Sequence, residues 1–309
     1  MNNIGIIDIG SNTIHLLIVN IDNRYNTKIL EEDKEHLRLG ASLHFNKNIS
    51  PEKIIETITI LKRYLRSCII NKVSDIIAVA TEALRVAENS VYILDLIKKH
   101  TGLTIKILSQ KEEAYFSYLG VVTACNIEKG IIMDVGGNST EIISVENNKF
   151  KNYTSLPLGA INITEKISVN KCGKYVSCDY NENYFNGLFA SIPWIKDFTA
   201  TSLVGIGGTF KNLRKIYTSY NDDWFIHQSP LTSMPPFKIK DLCNHIKTLS
   251  LKDREKLKGL SKKRADIILG GCELITNMIN YCDFAEIKLC DEGLRAGILA
   301  NYLNKQNPM

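Results

Sequence analysis

Three short loops collect residue types that bind phosphate, and each follows an apolar segment. They are "DIGSNT" at 8–13, "DVGGNST" at 134–140 and "GIGGTF" at 205–210. Glycines lack a Cβ, so successive backbone N–H groups can converge on an anion, and serine or threonine adds hydroxyl donors. Asp134 would repel phosphate unless a cation lies between them, and Mg²⁺ is commonly held by carboxylate and phosphate oxygens together. The loops therefore predict phosphate binding beside a metal.

A tight hairpin turn is the competing interpretation of any single loop, because glycine and asparagine are frequent in such turns. The repeated order of acid, glycine and small polar residue favours a shared binding function over unrelated turns. None of the loops has the GxxxxGK[ST] pattern of a P-loop nucleotidase. None has the GxGxxG pattern of a dinucleotide-binding fold either.

Each loop is predicted to lie at the end of a strand. An antiparallel three-strand meander is predicted twice, at 4–9, 13–19 and 27–37 and again at 130–135, 139–145 and 150–156. This repeat indicates an internal duplication, and the predicted domains are 1–123 and 124–309, with the last helix able to pack back on the first domain.

Helices and further strands alternate after each meander, which is typical of an α/β layer. In the first half they are predicted at 51–67, capped by Ser50 and begun by Pro51, at 76–80, at 91–100, at 104–108 and from about 109 to about 125. In the second half the predicted helices are 162–169, 182–197, 207–217, 238–248, 261–281 and 292–303, with strands at 203–206 and 284–290.

Composition excludes several classes of protein. The chain has 38 Lys and Arg against 33 Asp and Glu, a net charge of +5, and no basic cluster typical of nucleic-acid binding. The most basic stretch, 249–264, also contains acids and is predicted to be a solvated helical face. Eight scattered cysteines indicate reduced thiols in the cytoplasm, and no apolar run approaches the roughly 18 residues of a membrane span.

Six motifs in order resemble one family across nearly the whole chain. They are "DIGSNTIHLLIV", "ATEALRVAEN", "ILSQKEEAYFSYLGV", "LPLGAINITE", "KRADIILGG" and "DEGLRAGIL", and they resemble the exopolyphosphatase and guanosine pentaphosphate phosphatase family of the actin-like ATPase superfold. The resemblance implies two actin-like, ribonuclease H-like α/β domains with a cleft between them. Each domain would be a mixed sheet that opens with the antiparallel meander and carries helices on both faces.

The resemblance also implies roles for particular residues. Glu113, the second acid of "EEA", would be the catalytic residue that orients water, and Arg85, the second catalytic residue, would help to hold the terminal phosphate groups of the substrate. The implied phosphate-binding residues are Ser11, Asn12, Gly136, Gly137, Asn138, Ser139, Gly207 and Gly208, and the implied Mg²⁺ ligands are Asp134 and Glu141. The chain departs from the family at Asn138, where a third glycine is usual, and at Asn162, where arginine is common.

The expected activity is hydrolysis of the terminal phosphoanhydride of inorganic polyphosphate by a cytoplasmic, Mg²⁺-dependent homodimer. Hydrolysis of guanosine pentaphosphate to the tetraphosphate is a close alternative, because both substrates end in a phosphoanhydride. A kinase of the same superfold and a non-catalytic sensor of polyphosphate or an alarmone also stay open. The fold by itself does not choose among them.

Overall fold

The computed structural model describes residues 2–41, 43–220 and 231–306. The chain divides into two compact units, Met1–Glu113 with Ile298–Met309, and Ala114–Gly297. The domain limits 1–123 and 124–309 stay a prediction, as does the cleft. Among the described helices, none combines the length and apolar character needed to cross a membrane.

The first unit is built on a five-stranded mixed sheet. In chain order its elements are β1 (Asn2–Ile9), β2 (Ile14–Ile21), β3 (Thr27–Glu35), α1 (Leu43–Asn46), α2 (Pro51–Ile70), β4 (Asp75–Ala80), α3 (Glu82–Val86), α4 (Ser90–Thr101) and β5 (Lys106–Ile107). The strand order is β3-β2-β1-β4-β5, with β1, β4 and β5 parallel and the first three strands antiparallel. The Ser50 cap is confirmed, since the Lys53 N–H donates to Ser50 Oγ at 3.4 Å.

The second unit is built on a six-stranded mixed sheet. Its elements, with the helix α5 that leads into it, are α5 (Gln110–Ala124), β6 (Lys129–Val135), β7 (Thr140–Glu146), β8 (Lys149–Leu156), α6 (Ala160–Thr164), β9 (Ile167–Val169), β10 (Tyr175–Cys178), α7 (Glu182–Ala190), β11 (Ser202–Ile206), α8 (Gly207–Ser219), β12 (Leu231–Met234), α9 (Pro236–Thr248), α10 (Leu251–Lys256), α11 (Ile268–Cys282) and β13 (Glu286–Cys290). The last helix, α12 (Leu294–Gln306), begins in this unit and belongs to the first unit from Ile298 onward. The strand order is β12-β13-β11-β6-β7-β8, and β9 pairs with β10 apart from it.

Helices cover both faces of the second sheet, as predicted. Side chains alternate along a strand, so Ile131 and Met133 of β6 pack in one apolar cluster while Ile132 packs in another. The first cluster includes residues of α7, α8, α9 and α11, and the second includes residues of α5. The predicted α/β fold class with two mixed sheets is confirmed.

The predicted duplication is visible in the strand pairing. Asp8 of β1 faces His15 of β2, and Asp134 of β6 faces Glu141 of β7, with each residue of the second pair 126 positions later than its counterpart. The irregularities in β2–β3 and β7–β8 pairing fall at 18/19 and 144/145, which differ by the same number. Both meanders therefore share one register, down to the position of a bulge.

Three helix predictions in the second half need correction. The helix predicted at 162–169 is the short α6 followed by strand β9, where Ile167 and Val169 favour an extended chain. The helix predicted at 182–197 ends at Ala190, because Pro193 cannot continue a hydrogen-bonded turn. The helix predicted at 261–281 is a 3-10 turn, Lys262–Arg264, followed by α11. The basic stretch 249–264 is only partly a solvated face.

Candidate active site

The loop after β1 contains a buried polar side chain that has no hydrogen-bond partner among the residues that the structure describes. The Gly10 N–H donates to Thr13 O at 2.9 Å and closes the loop. Asn12 is 4% exposed, and within the described chain neither its amide nitrogen nor its amide oxygen has a hydrogen-bond partner. A buried amide left in this state costs about 1–3 kcal/mol unless a ligand satisfies it. Asn12 is thus suited to contact a bound phosphate.

The residues that follow β3 hold this loop from behind. The Arg38 N–H donates to Asn12 O at 3.0 Å, and the Gly40 N–H donates to Ser11 O at 2.8 Å. Both bonds use carbonyl groups of the loop. The loop is therefore fixed by main-chain contacts.

Arg85 and Glu113 form a buried ion pair in the first unit. Arg85 Nη1 lies 2.8 Å from Glu113 Oε2 and also donates to Leu108 O at 2.8 Å, while Nη2 contacts Glu82. Burial opposes the charge of Arg85, but Glu113 and Glu82 together keep the pKa of the guanidinium above its ordinary value. Three groups thus hold Arg85, and Arg85 in turn holds the Glu113 carboxylate.

Glu112 makes different contacts from Glu113. The Ser109 N–H donates to Glu112 Oε2 at 2.9 Å, and the Glu112 N–H donates to Ser109 Oγ at 3.2 Å, which is a capping box at the start of α5. Hydrogen bonds from Lys106 and from the Ser109 backbone lower the pKa of Glu112 to about 2. Glu112 therefore stabilises the helix end, and only Glu113 joins the buried ion pair.

The loop after β6 repeats the geometry of the loop after β1. The Gly136 N–H donates to Ser139 O at 3.0 Å, just as Gly10 donates to Thr13. Asn138 lies 126 positions after Asn12, so the asparagine that departs from the family matches the first loop of this same chain. Its backbone does not adopt a positive φ. The backbone at this position therefore suits asparagine without any need for left-handed angles.

The side chain of Asn162 belongs to this loop. Asn162 Nδ2 donates to Asn138 O at 3.0 Å and to Pro157 O at 2.9 Å, and Asn162 Oδ1 accepts from the Gly159 N–H at 2.7 Å. Asparagine at this position lacks the positive charge of the arginine that is common in the family. In the structure asparagine makes loop contacts that its short amide is able to reach.

A second glycine loop lies beside the first in this unit. Val135 and Gly207 form a parallel bridge, so the 136–139 loop and the N-terminus of α8 emerge next to each other. Gly207 has φ +87, and a methyl group there would lie 2.6 Å from Asp134 Oδ1. Glycine is required at this position by both the backbone angle and the close approach of the carboxylate.

Arg264 packs directly on Gly208. A methyl group at Gly208 would lie 2.0 Å from Arg264 Cζ, so the guanidinium fills the space that the missing side chain leaves. Asn212 fixes this arrangement, because its Nδ2 donates to Gly208 O at 2.7 Å and its Oδ1 accepts from the Ser261 N–H at 2.8 Å. A cation is therefore held at the N-terminal turn of α8, a position suited to binding an anion.

Asp134 is a largely desolvated carboxylate. Desolvation raises its pKa, and a hydrogen bond from Ser117 Oγ to Asp134 Oδ2 at 2.7 Å partly offsets that rise. Asp134 keeps some solvent exposure, yet protein atoms surround most of it. A buried negative charge of this kind would be stabilised by a cation.

Glu141, the second predicted metal ligand, faces Asp134 across β6 and β7. It is 1% exposed and accepts a hydrogen bond from Ser155 Oγ at 3.0 Å. No cluster of three or more His, Cys, Asp or Glu suited to a metal is found in residues 2–41, 43–220 and 231–306. Two carboxylates beside a phosphate loop nevertheless fit Mg²⁺, which commonly takes one or two carboxylates and completes its shell with phosphate oxygens and water.

Three residues of the site were not predicted from the sequence. Ser117, Asn162 and Arg264 each contact a predicted residue through tertiary packing. Ser117 lies within "ILSQKEEAYFSYLGV" and Arg264 within "KRADIILGG", but the sequence gave neither of them a role, and Asn162 stood out only as a departure. The capping role of Glu112 could have been predicted, because "SQKE" has the S-x-x-E spacing of a capping box.

Fold and site together define an actin-like α/β protein with glycine-rich loops at the ends of its strands. The chain belongs to the Ppx/GppA phosphatase family, whose pattern it matches over residues 17–306. Its structure is similar to that of an exopolyphosphatase from Cytophaga hutchinsonii, with a TM-score of 0.88 and 23% identity over 98% of both chains. It is also similar to the Ppx/GppA family member of Aquifex aeolicus, with a TM-score of 0.79 and 26% identity over 99% of both chains.

Curated relatives carry several names. The chain is 31% identical to a bifunctional 3-dehydroquinate synthase/phosphatase of Fusobacterium nucleatum over 97% of this chain, but it spans only 46% of that protein. It is 24% identical to exopolyphosphatase 1 of Mycobacterium tuberculosis, covering 98% of this chain and 89% of the relative. It is 26% identical to a guanosine-5'-triphosphate,3'-diphosphate pyrophosphatase of Vibrio parahaemolyticus, covering 97% of this chain and 59% of the relative.

Proposed function

We propose that this protein hydrolyses the terminal phosphoanhydride bond of inorganic polyphosphate. The observation that carries the proposal is the buried Glu113 carboxylate, held by Arg85 in a chain that also has phosphate-binding loops. The name of the mycobacterial relative supports polyphosphate as the substrate. Glu113 is the residue that the family resemblance assigns to catalysis.

Glu113 would position the attacking water. Its carboxylate accepts a hydrogen bond from the water, whose oxygen attacks the terminal phosphorus in line with the bridging oxygen. The P–O bond to the bridging oxygen breaks, and the water gives up a proton, which passes by way of the Glu113 carboxylate to the products. These products are orthophosphate and a polyphosphate shorter by one phosphate. The contacts of Arg85 support a role in orienting Glu113, which differs from the earlier expectation that Arg85 holds the substrate.

The glycine loops would bind the phosphate groups. Backbone N–H groups at 136–139 and at the start of α8 would supply preorganised donors for the phosphate oxygens of the bound substrate. Asn12 adds an amide whose polar atoms have no partner in the described chain. Arg264 adds a positive charge next to Gly208.

Mg²⁺ is part of the proposal, with Asp134 and Glu141 as the residues that would hold it. When bound, the ion would supply positive charge to phosphate oxygens and to the desolvated carboxylate of Asp134. Ser117 orients Asp134 by donating to one of its oxygens. A cytoplasmic location and a homodimer complete the proposal, and analytical ultracentrifugation tests the second.

Glu113→Gln tests the catalytic assignment, with Glu112→Gln as its matched control. Loss of a positioned catalytic carboxylate should lower kcat by about 10²- to 10⁴-fold, while polyphosphate binding measured by calorimetry is retained. Glutamine at position 112 keeps the capping box and should leave kcat within about twofold. Full activity of Glu113→Gln would remove Glu113 from the mechanism.

Guanosine pentaphosphate is the second candidate substrate, favoured by the name of the Vibrio relative. Phosphate release from polyphosphate and from guanosine pentaphosphate, compared as kcat/KM with and without Mg²⁺, separates the two. Release of less than one phosphate per protein molecule from either substrate, together with tight binding, would instead support a sensor.

A further inference from the structure

The two equivalent loops are held by different chemical groups at one position. In the first loop the backbone N–H of Arg38 donates to Asn12 O at 3.0 Å. In the second loop the side-chain amide of Asn162 donates to Asn138 O, also at 3.0 Å. In both halves the donor comes from the segment that follows the third strand of the meander. A side chain thus replaces a main-chain N–H.

Two other contacts of the loops use main chain in both halves. The neighbouring carbonyl is held by main chain in both halves, from Gly40 to Ser11 at 2.8 Å and from Ile161 to Gly137 at 2.7 Å. The bond that closes each loop is also shared. The second loop therefore depends on Asn162 for a contact that the backbone supplies in the first loop.

Other contacts of Asn162 fix the orientation of its amide. Its oxygen accepts from the Gly159 N–H, and its nitrogen also donates to Pro157 O. Rotation of the amide by 180° would place oxygen against two carbonyl groups, so only one orientation satisfies the site. The amide makes its hydrogen bonds to groups of the protein, so Asn162 acts on the substrate through the loop.

We propose that Asn162 is a positioning residue that aims the phosphate-binding N–H groups of the 136–139 loop. A peptide bond is planar and trans, so its C=O and N–H point in opposite directions. By drawing the Asn138 carbonyl toward itself, Asn162 turns the Ser139 N–H the other way. In the same way, the Ile161 N–H holds the Gly137 carbonyl and so turns the Asn138 N–H away from Ile161. The inference rests on the proposed function in that these N–H groups bind substrate phosphate.

Two variants test this role. Asn162→Asp keeps the acceptor for Gly159 and removes the donor, and Asn162→Ala removes both without adding charge. The loop N–H groups bind phosphate in the ground state as well as in the transition state, so their loss should raise KM with kcat within about twofold. The expected rise in KM is about five- to tenfold, as for one lost hydrogen bond. Hydrogen exchange at 136–139 should become faster.

Asn148→Asp is the matched control, because it makes the same chemical change in the same unit. Asn148 Oδ1 accepts from the Ile127 N–H at 2.6 Å, and the residue lies at the opposite end of β7 from the loop. This variant should leave KM and exchange at 136–139 unchanged. Thermal unfolding gives the folded fraction of every variant.

Certain results would overturn the inference. Unchanged KM and unchanged exchange at 136–139 in both Asn162 variants would do so, and so would a fall in kcat at constant KM, the mark of a merely structural role. If the wild-type protein hydrolyses no phosphoanhydride, the proposed function fails. Exchange at 136–139 then decides the positioning role by itself.

Discussion

Replacing Gly208 by alanine tests whether the Arg264 guanidinium contributes to phosphate binding. The new methyl group would lie 2.0 Å from Arg264 Cζ, 2.0 Å from Nη2 and 2.3 Å from Nη1, so both groups cannot occupy the space. Gly208 is not among the residues with positive φ, and alanine is therefore compatible with its backbone. Because the guanidinium ends a flexible side chain, Arg264 should move while the fold persists.

The expected effect follows from the loss of one charged contact. A hydrogen bond to a charged group contributes about 1.5–3 kcal/mol, which corresponds to about a 10- to 150-fold fall in kcat/KM. The free energy of unfolding should change by no more than about 1 kcal/mol, since alanine also favours the helix that begins there. Activity should thus fall much more than stability.

A double-mutant cycle with Arg264→Ala makes this prediction decisive. If Gly208→Ala acts by displacing Arg264, the double variant should be no worse than the more damaged single variant. Gly187→Ala in α7 is the control, because a methyl group there meets nothing within 4 Å. Simple addition of the two losses, or kcat/KM within twofold of wild type in Gly208→Ala, would refute the reasoning.

Two further predictions concern the carboxylate and the asparagine of the second loop. Desolvation raises the pKa of Asp134 in the folded protein. The charged carboxylate therefore lowers the free energy of unfolding at pH values above that pKa. In acid it has no such effect, because Asp134 is protonated in both the folded and the unfolded protein. Asp134→Asn should therefore raise Tm at about pH 8, and the increase should become smaller toward about pH 4, while phosphate release is lost. An equal increase in Tm at both pH values would contradict an origin in the desolvated charge. Asn138→Gly should retain or increase phosphate release, because the backbone at 138 suits either residue, and a severe loss would show that its amide side chain takes part.

The sequence predicted the glycine loops, the duplicated meander and most of the helices. Strand alternation and glycine-rich turns are local signals, and the register shared by β1–β2 and β6–β7 follows from them. Sequence also singled out Glu113, although its distinction from Glu112 came from the family resemblance. The errors at 162–169 and 182–197 arose where a short apolar segment and a proline outweighed helical spacing.

Tertiary structure alone decided which side chains serve these loops. Arg264 lies in a basic stretch that looks solvated, yet it is 7% exposed and fills the space beside Gly208. Ser117 reaches Asp134 from a helix whose sequence gives no reason to select that serine. Such contacts join positions far apart in the chain, and no periodicity encodes them.

Asn162 illustrates what the sequence determined about this site and what only the tertiary structure decided. The sequence alone determined that two similar loops would form, because glycine and small polar residues at a strand end suffice for a turn of this kind. It could not determine that one loop is held by main chain and the other by an amide side chain. That depends on how the segment after β8 returns to the loop, which is a matter of packing in three dimensions.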